Sequence, residues 1–304
     1  MTLLHHTPAT TMADAAASPT QTTCSPAANP RTVPDAVGLV NPTPRRFEGI
    51  SLTELNSHAE NLTRQDRKYV VSLADLTVLL ADLPAGTKIL EIDGAQHFPY
   101  SSTYFDTLSL ESFLQAAHKR RRKFKVRTRR YSNGAEFLEV KTIGERGVTV
   151  KERIPFDGDL PFSPESSAFI RNTFAANRVE GVRPDDLWPS LRTTYTRTTF
   201  LLPDGDARVT VDTDLAFRPL HIDAASRERR AHQPVRGLVE LGPLAIVETK
   251  AHHATSADRA LWRRGYRPAR LSKYAAGIIL TCDAERGGRW YRTLTHHIPN
   301  AIAA

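Results

Sequence analysis

Cysteine is nearly absent: Cys24 and Cys282 are the only two in 304 residues. No disulfide framework can be built from them, which fits a reducing compartment. Long apolar runs are missing too, and none approaches the ~20 residues needed to cross a bilayer. The opening residues, MTLLHHTPATTMADAAASPTQ, lack both a basic start and a continuous apolar stretch. No secretory leader is therefore expected, and the cytoplasm is the default location. Acidic residues are outnumbered, with 33 Asp and Glu against 41 Lys and Arg and a net charge of +8. Such a surplus points to an acidic partner: nucleic acid, polyphosphate, nucleotide or anionic membrane. A hydrophobic fraction of 40% suffices for a core, and the length allows one large or two medium domains.

The most informative stretch is FKVRTRRYSNGAEFLEVKTIGERGVTVKER, from Phe124 to Arg153. It reads as three consecutive strands whose charges fall on one parity: Lys125, Arg127, Arg129, then Glu139, Lys141, then Lys151, Arg153. Residues two apart on a strand share a face. Val126, Leu138, Val140, Val148 and Val150 take the other parity and give a face to bury. Like charges on neighbouring strands repel, so a dense cationic face is expected where something anionic lies on it. Arg forks and Lys point charges suit phosphate, and several phosphates in a row.

Residues 1–45 are Ala, Thr, Pro and Ser with almost no large apolar groups, and are expected to be a disordered tail. Order is expected from Phe47. Ser57 to Asn61 leads into a first strand at residues 64–71, where Arg64, Asp66 and Lys68 share a parity. Ser72 caps a helix with Asp75 at its third position, Leu76, Leu79, Leu80 and Leu83 form its stripe, and Pro84 stops it. A strand at Tyr100–Phe105 precedes a helix from Leu108 to His118. After the charged strands, Ser163-Pro164 opens another helix. Strands at 191–202 and 207–212 are joined by the turn Pro203-Asp204-Gly205, and a further pair, 237–241 and 245–250, surrounds Gly242-Pro243. Helices at 256–264, ended by Gly265, and at 272–280 close a domain spanning 46–283, with 284–304 a tail. Many antiparallel strands without a βαβ rhythm predict an α+β fold, a closed antiparallel β-barrel with helices packed outside.

The parity rule recurs in the second half. Arg208, Thr210 and Asp212 share a face, as do Tyr195 and Arg197, and Glu139-x-Lys141 is echoed by Glu248-x-Lys250. With the charged parity inward, the lumen would be lined by Arg, Lys and a few carboxylates. Such an interior is too costly unless it is wet and occupied by counter-ions. The expectation is a hydrated cationic tunnel.

At this point the chain resembles the triphosphate-tunnel (CYTH-like) superfamily, and within it the VTC (vacuolar transporter chaperone) polyphosphate polymerase domain. The resemblance runs from about residue 60 to 281. It is carried by R-x-D-x-K-Y at Arg64–Tyr69, S-x-Y-F-D at Ser102–Asp106, K-V-R-T-R-x-Y at Lys125–Tyr131 and F-L-E-V-K at Phe137–Lys141. V-K-E-R at Val150–Arg153, Y-x-R at Tyr195–Arg197, R-V-T-V-D at Arg208–Asp212, V-E-T-K at Val247–Lys250 and S-K-Y at Ser272–Tyr274 follow in order. The first strand departs from the pattern, with Asp66 where a glutamate is common.

The resemblance implies a tunnel that holds a triphosphate or polyphosphate chain and moves the terminal phosphate of ATP onto the growing polymer with a divalent metal, Mn²⁺ or Mg²⁺. It implies that Arg127, Arg129, Lys151, Arg197 and Lys273 serve catalysis, while Lys68, Lys141, Tyr195, Arg208 and Ser272 hold substrate phosphates. It makes Glu248 the metal ligand. Phosphoryl transfer asks for phosphates held in line and charge stabilised at the equatorial oxygens. Hard cations prefer oxygen ligands, so Glu139 and Asp214 stand behind Glu248 as candidates. Glu139 could equally pair with a Lys, and Asp212 with an Arg. His252 and His253 read as loop residues, and Tyr69, Tyr104 and Tyr274 as packing and hydrogen-bonding residues. The run Lys119–Lys123 (KRRRK) reads as a solvated helix end or as a docking patch for polyphosphate. It lacks the aromatic interleaving of single-strand binders, so nucleic acid is not the expected partner. A triphosphatase of the same fold, a non-catalytic polyphosphate binder and an RNA-end-processing protein are the alternatives. A membrane partner, as accompanies some relatives, is compatible with the chain and not demanded by it.

Overall fold

The computed structural model describes residues 47–58, 65–144, 147–156, 158, 162–203, 207–220, 236–282, 291 and 294. The expected tail at 1–45, Arg64, the link at 59–61, the turn residues Asp204 and Gly205 and nearly all of 284–304 lie outside the described residues.

Eleven strands form one sheet: β1 Glu48–Ile50, β2 Gln65–Ser72, β3 Lys88–Leu90, β4 Phe98–Asp106, β5 Lys125–Arg130, β6 Glu136–Ile143, β7 Thr149–Pro155, β8 Trp188–Leu201, β9 Arg208–Pro219, β10 Val239–Glu240 and β11 Leu244–Ala251. The main path is β2-β11-β9-β8-β4-β5-β6-β7, antiparallel at every step. β1 lies parallel to β3, which pairs with β8, and β10 pairs with β9. The fold is α+β around a large antiparallel sheet. The expected closed barrel is corrected in one respect: among the described residues no ladder joins β2 to β7, so hydrogen bonds do not close the sheet. β7 ends the path as a strand with most residues exposed, and Val148 before it is 62% exposed. A strand with so little apolar surface has no face to bury against a further partner.

Six α-helices have described bounds: α1 Leu52–Ser57, α2 Leu73–Ala81, α3 Glu111–Ala117, α4 Pro164–Ala176, α5 Ser256–Arg263 and α6 Lys273–Thr281. Ser72 caps α2 as expected, accepting from the Asp75 amide at 3.1 Å. The helix expected from Leu108 starts only at Glu111. Leu110 sits at φ 59°, a left-handed conformation that no helix interior tolerates. Ser57 ends α1 instead of opening the first strand, and β10 is two residues long and joins β9, not β11.

The apolar parity of the charged strands faces away from the charges. Val126, Leu138 and Val140 pack with Ile170 and Phe174 of α4. Tyr69, Val71, Val209, Val211 and Val247 pack with α2 and α5. α6 is different. Tyr274, Ile278 and Ile279 join Val70, Tyr104, Tyr195 and Ile246, which share parity with the charged residues. This helix therefore lies against the charged side of the sheet and fills part of it. Gly277 permits the approach: a Cβ there would lie 2.3 Å from a Leu191 methyl and 2.7 Å from Phe217. No helix among the described residues is long and apolar enough to cross a membrane.

Candidate functional site

Cross-strand register gathers the charges. Lys125, Lys141 and Lys151 stand opposite one another on β5, β6 and β7, and the next row is Tyr104, Arg127, Glu139 and Arg153. On the other half, Arg197 faces Asp212, and Lys68, Glu248 and Thr210 form a row followed by Asp66, Lys250 and Arg208. Repulsion along such rows is offset at three carboxylates, Asp212, Glu139 and Glu248, which are 0%, 2% and 7% exposed.

Each carboxylate binds several cations. Arg127 donates from Nε and Nη2 to Oε2 of Glu139 at 2.8 and 2.6 Å, and Lys151 approaches Oε1 at 2.8 Å. Burial alone would raise the Glu139 pKa; Arg127, Arg129 and Lys151 outweigh it and hold it at about 2. Arg197 forks onto Asp212 at 2.6 and 2.8 Å, and Lys273 donates to Oδ2 of the same carboxylate. Burial opposes ionisation of Asp212, yet Lys273 and Arg197 keep its pKa below the ordinary range. Lys68 and Lys250 both donate to Oε1 of Glu248 at 2.7 Å, and Lys250 also reaches Asp66 at 2.9 Å. Against its burial, the two lysines hold Glu248 below the usual carboxylate range.

The cations outrun this supply of carboxylate. Lys141 is exposed at the wall and makes no ion pair among the described residues, with Asp66 acting on it only at longer range. Lys125 donates to the neutral Oγ of Ser272 at 2.7 Å. Burial, then Lys141, Arg127 and Lys68, push the Lys125 ammonium down to about 7. The Ala269 amide donates to the Lys68 carbonyl at 2.7 Å while Ser272 accepts from Lys125, so the segment before α6 links β2 to β5. The sheet curls its charged side toward itself without closing by hydrogen bonds. Arg129 lies 4.0 Å from Glu139, and its buried Nε has no hydrogen-bond partner among the described residues. An unsatisfied guanidinium nitrogen beside under-neutralised lysines calls for an anion with several oxygens.

Aromatic rings set the orientation of these cations. Tyr100 stacks on Tyr195 at 5.4 Å; Arg129 and Arg197 lie over Tyr100, and Lys273 lies 4.6 Å from the Tyr195 centroid. Tyr104 accepts from Arg127 Nη1 at 3.1 Å and stacks on Tyr274. Tyr274 donates to buried Asp106 at 2.6 Å. Asp106 also accepts from the amides of Thr107, Ser112 and Phe113, which fixes α3 to β4.

The structure brings Lys68, Arg127, Arg129, Lys141, Lys151, Tyr195, Arg197, Ser272 and Lys273 of the sequence reading onto one concave face with Glu248. Arg208 shares the parity, but its Nη2 donates to the Leu55 carbonyl of α1 at 2.9 Å. Among the metal candidates, Glu139 is taken by Arg127 and Lys151. Asp214 accepts from Thr213 Oγ1 and lines a separate recess with Tyr100 and Tyr131. His252 and His253 are exposed beyond β11, as expected. The sequence reading passed over Lys125 as a site residue, although its place in K-V-R-T-R signals it, and over Lys250, which shares Glu248 with Lys68.

No group of three or more His, Cys, Asp or Glu among the described residues is arranged to hold a metal. Glu248 offers one buried carboxylate whose Oε1 is occupied by two ammonium groups. That donor set fits a cation such as Mg²⁺ or Mn²⁺, which takes one or two carboxylates and completes its shell with substrate phosphates and water. It does not fit an all-protein cage.

A family model described as VTC domain matches residues 63–281. Among solved structures, a putative adenylyl cyclase from Hippeastrum, described as having a dominant triphosphatase activity, is similar at 14% identity. The alignment covers 70% of this chain and 94% of that one, with a TM-score of 0.39. A Pyrococcus horikoshii protein is similar at 9% identity over 71% and 96%, TM-score 0.37. An inorganic triphosphatase is similar at 15% identity over 72% and 97%, TM-score 0.28. A search of curated proteins finds no significant match.

Proposed function

Because this chain belongs to the VTC domain family, we propose that it is a metal-dependent polyphosphate polymerase that transfers the terminal phosphate of ATP to a growing chain. The observation that carries the reading is the surplus of cations over carboxylates on the concave face, where Lys125 donates only to the neutral Ser272 and the buried Nε of Arg129 has no hydrogen-bond partner among the described residues. A row of phosphates supplies the missing negative charge at regular spacing. Phosphoryl transfer needs alignment and charge stabilisation more than covalent help. The Nε of Arg129, without a hydrogen-bond partner among the described residues, is assigned to a phosphate oxygen. Arg127, whose Nε and Nη2 are held by Glu139, is assigned to supply positive charge beside it. Arg197 and Lys273, fixed by Asp212, and Lys68, fixed by Glu248, grip the rest of the chain. Lys141, Lys151, Tyr195 and Ser272 are assigned to substrate binding, with Lys125 added to them, while Arg208, held by the Leu55 carbonyl of α1, is left out. Glu248 would hold the divalent ion, which would supply neutralisation of the phosphate charge when bound.

The products test this reading. Incubation with ATP and Mn²⁺, with and without a short polyphosphate primer, is expected to give a ladder of long chains on a polyphosphate-stained gel, absent in EDTA. Release of inorganic phosphate without chains would make the protein a hydrolase and overturn the proposal.

Lys125 provides a second check through protons. Its ammonium titrates near 7 in the free protein, and a bound phosphate chain returns that pKa toward the ordinary lysine range. Binding is therefore favoured as pH falls and weakens as pH rises through 7. At about pH 8, tripolyphosphate binding should take up about one proton more in the wild type than in Lys125→Met. Calorimetry in two buffers of different ionisation heat reads the difference, and the variant removes the ligand's own titration from it. Equal uptake by both proteins would take Lys125 out of the site.

A further inference from the structure

We infer that the loop Lys119–Lys123, with the cleft beside it, is an exterior track for the polyphosphate chain, continuous with the concave face. The inference rests on the reading of that face as a phosphate site and adds a preference for long chains over short ones. Lys119, Lys123, Lys125, Lys141 and Arg270 line a cleft of about 480 Å³ together with Ser272, and no carboxylate lines it. Lys125, Lys141 and Ser272 belong also to the concave face, so the cleft opens onto it. Beyond Lys119 a second recess, of about 610 Å³, is lined by His118, Arg120, Arg121 and Arg122, with Glu111 its one acidic residue. Residues 118–123 thus contribute cations to both recesses.

The turn at Lys119 and Arg120 is the left-handed stop that a solvated helix end also makes; what sets this loop apart is its tie to α4. Lys119 takes φ 55°, directly after α3, with its amide on the Ala116 carbonyl and that of Arg120 on the Gln115 carbonyl at 2.8 Å. Arg122 Nη1 donates to the Arg178 carbonyl at 2.9 Å and ties the loop to the end of α4. Among the described residues no carboxylate pairs with Lys119, Arg120, Arg121, Lys123 or Arg270. Like charges kept close in a fixed turn repel one another unless a polyanion lies across them. The run contains no aromatic residue on which a base could stack, and Phe124, which ends it, is buried with Phe174.

The test uses Lys119→Gly, Arg120→Ser and Arg121→Ser combined in the full chain. Glycine suits the left-handed backbone at 119, so the melting temperature should hold. Tripolyphosphate, which fits within the concave face, should bind wild type and variant alike. Long-chain polyphosphate should bind the variant roughly 10- to 100-fold more weakly at low salt, with the slope of log affinity against log salt shallower by roughly 2. Equal loss for both ligands, or loss for neither, overturns the track. Single-stranded RNA of matched charge that binds the wild type as tightly as polyphosphate, and is lost to the same degree, overturns it in favour of a nucleic-acid surface. If the wild type binds long chains but not tripolyphosphate, the phosphate reading of the concave face fails, and the track as its continuation fails with it.

Discussion

Replacing Arg127 by alanine is expected to lower kcat/KM with ATP by about 10³-fold. Arg127 presents its fork to Glu139, its Nη1 to Tyr104, and its positive charge to Lys125 and Lys151 across the rows of the sheet. Deleting it removes a guanidinium from the place where charge develops and releases Glu139 to Lys151 alone at close range, with Arg129 at 4.0 Å. An ionised carboxylate then remains 2% exposed with less compensation. Breaking a fully buried pair costs about 3–5 kcal/mol; the Arg127 side chain is 22% exposed, so a loss of about 1–2 kcal/mol is expected after solvent screening. Circular dichroism and a thermal melt separate that loss from the kinetic one. Arg127→Lys is the informative companion: it keeps the charge and loses the fork, and should recover stability more fully than turnover. Near-normal turnover in Arg127→Ala would mean that the charged parity does not face the substrate.

Glu248→Gln carries the second large effect, expected as a drop in turnover of roughly 10²-fold or more together with loss of the Mn²⁺ dependence. The amide keeps the shape and still accepts from one ammonium group. It removes the charge that holds Lys68 and Lys250 together and the carboxylate proposed to hold the divalent ion. Phosphate affinity in EDTA should hold or rise, because two lysines lose their internal competitor. That opposite movement of binding and turnover separates a metal role from a structural one: a structural defect would weaken both. Wild-type metal activation in the variant would assign the ion to the phosphates alone.

The charged parity was legible in the sequence because β-strand alternation is an exact period: β5 carries it along its length, and β6, β9 and β11 repeat it at Glu139 and Lys141, Arg208 and Asp212, and Glu248 and Lys250. Every carboxylate partner was less so. Glu139 and Asp212 stood as open alternatives between metal and cation, and the choice depends on register: Glu139 lies directly opposite both Arg127 and Arg153, and Asp212 opposite Arg197. Those neighbours sit on consecutive strands, where the register follows from the turn between them and not from the alternation. The Glu248–Lys68 pair joins strands 180 residues apart, which no local pattern encodes. Closure of the barrel was over-read for a related reason. Alternation says which face is charged; it does not say whether the end strands meet, and β7 has little apolar surface with which to do so. The inward position of α6 depends on Gly277, a glycine in a helix that reads by itself as a weak former. Its purpose appears only once Leu191 and Phe217 lie against it. Lys125 was passed over because its partner Ser272 is 147 residues away.

The most direct test of the concave face as a phosphate site is a crystal structure of the protein with tripolyphosphate bound. Phosphorus density is expected along the charged side of the sheet, with oxygens within hydrogen-bond distance of Arg127, Arg129 Nε, Lys68 and Lys141, and with Lys125 turned from Ser272 toward the chain. Tripolyphosphate bound elsewhere, with Glu139, Asp212 and Glu248 still neutralising an empty face, would contradict the assignment.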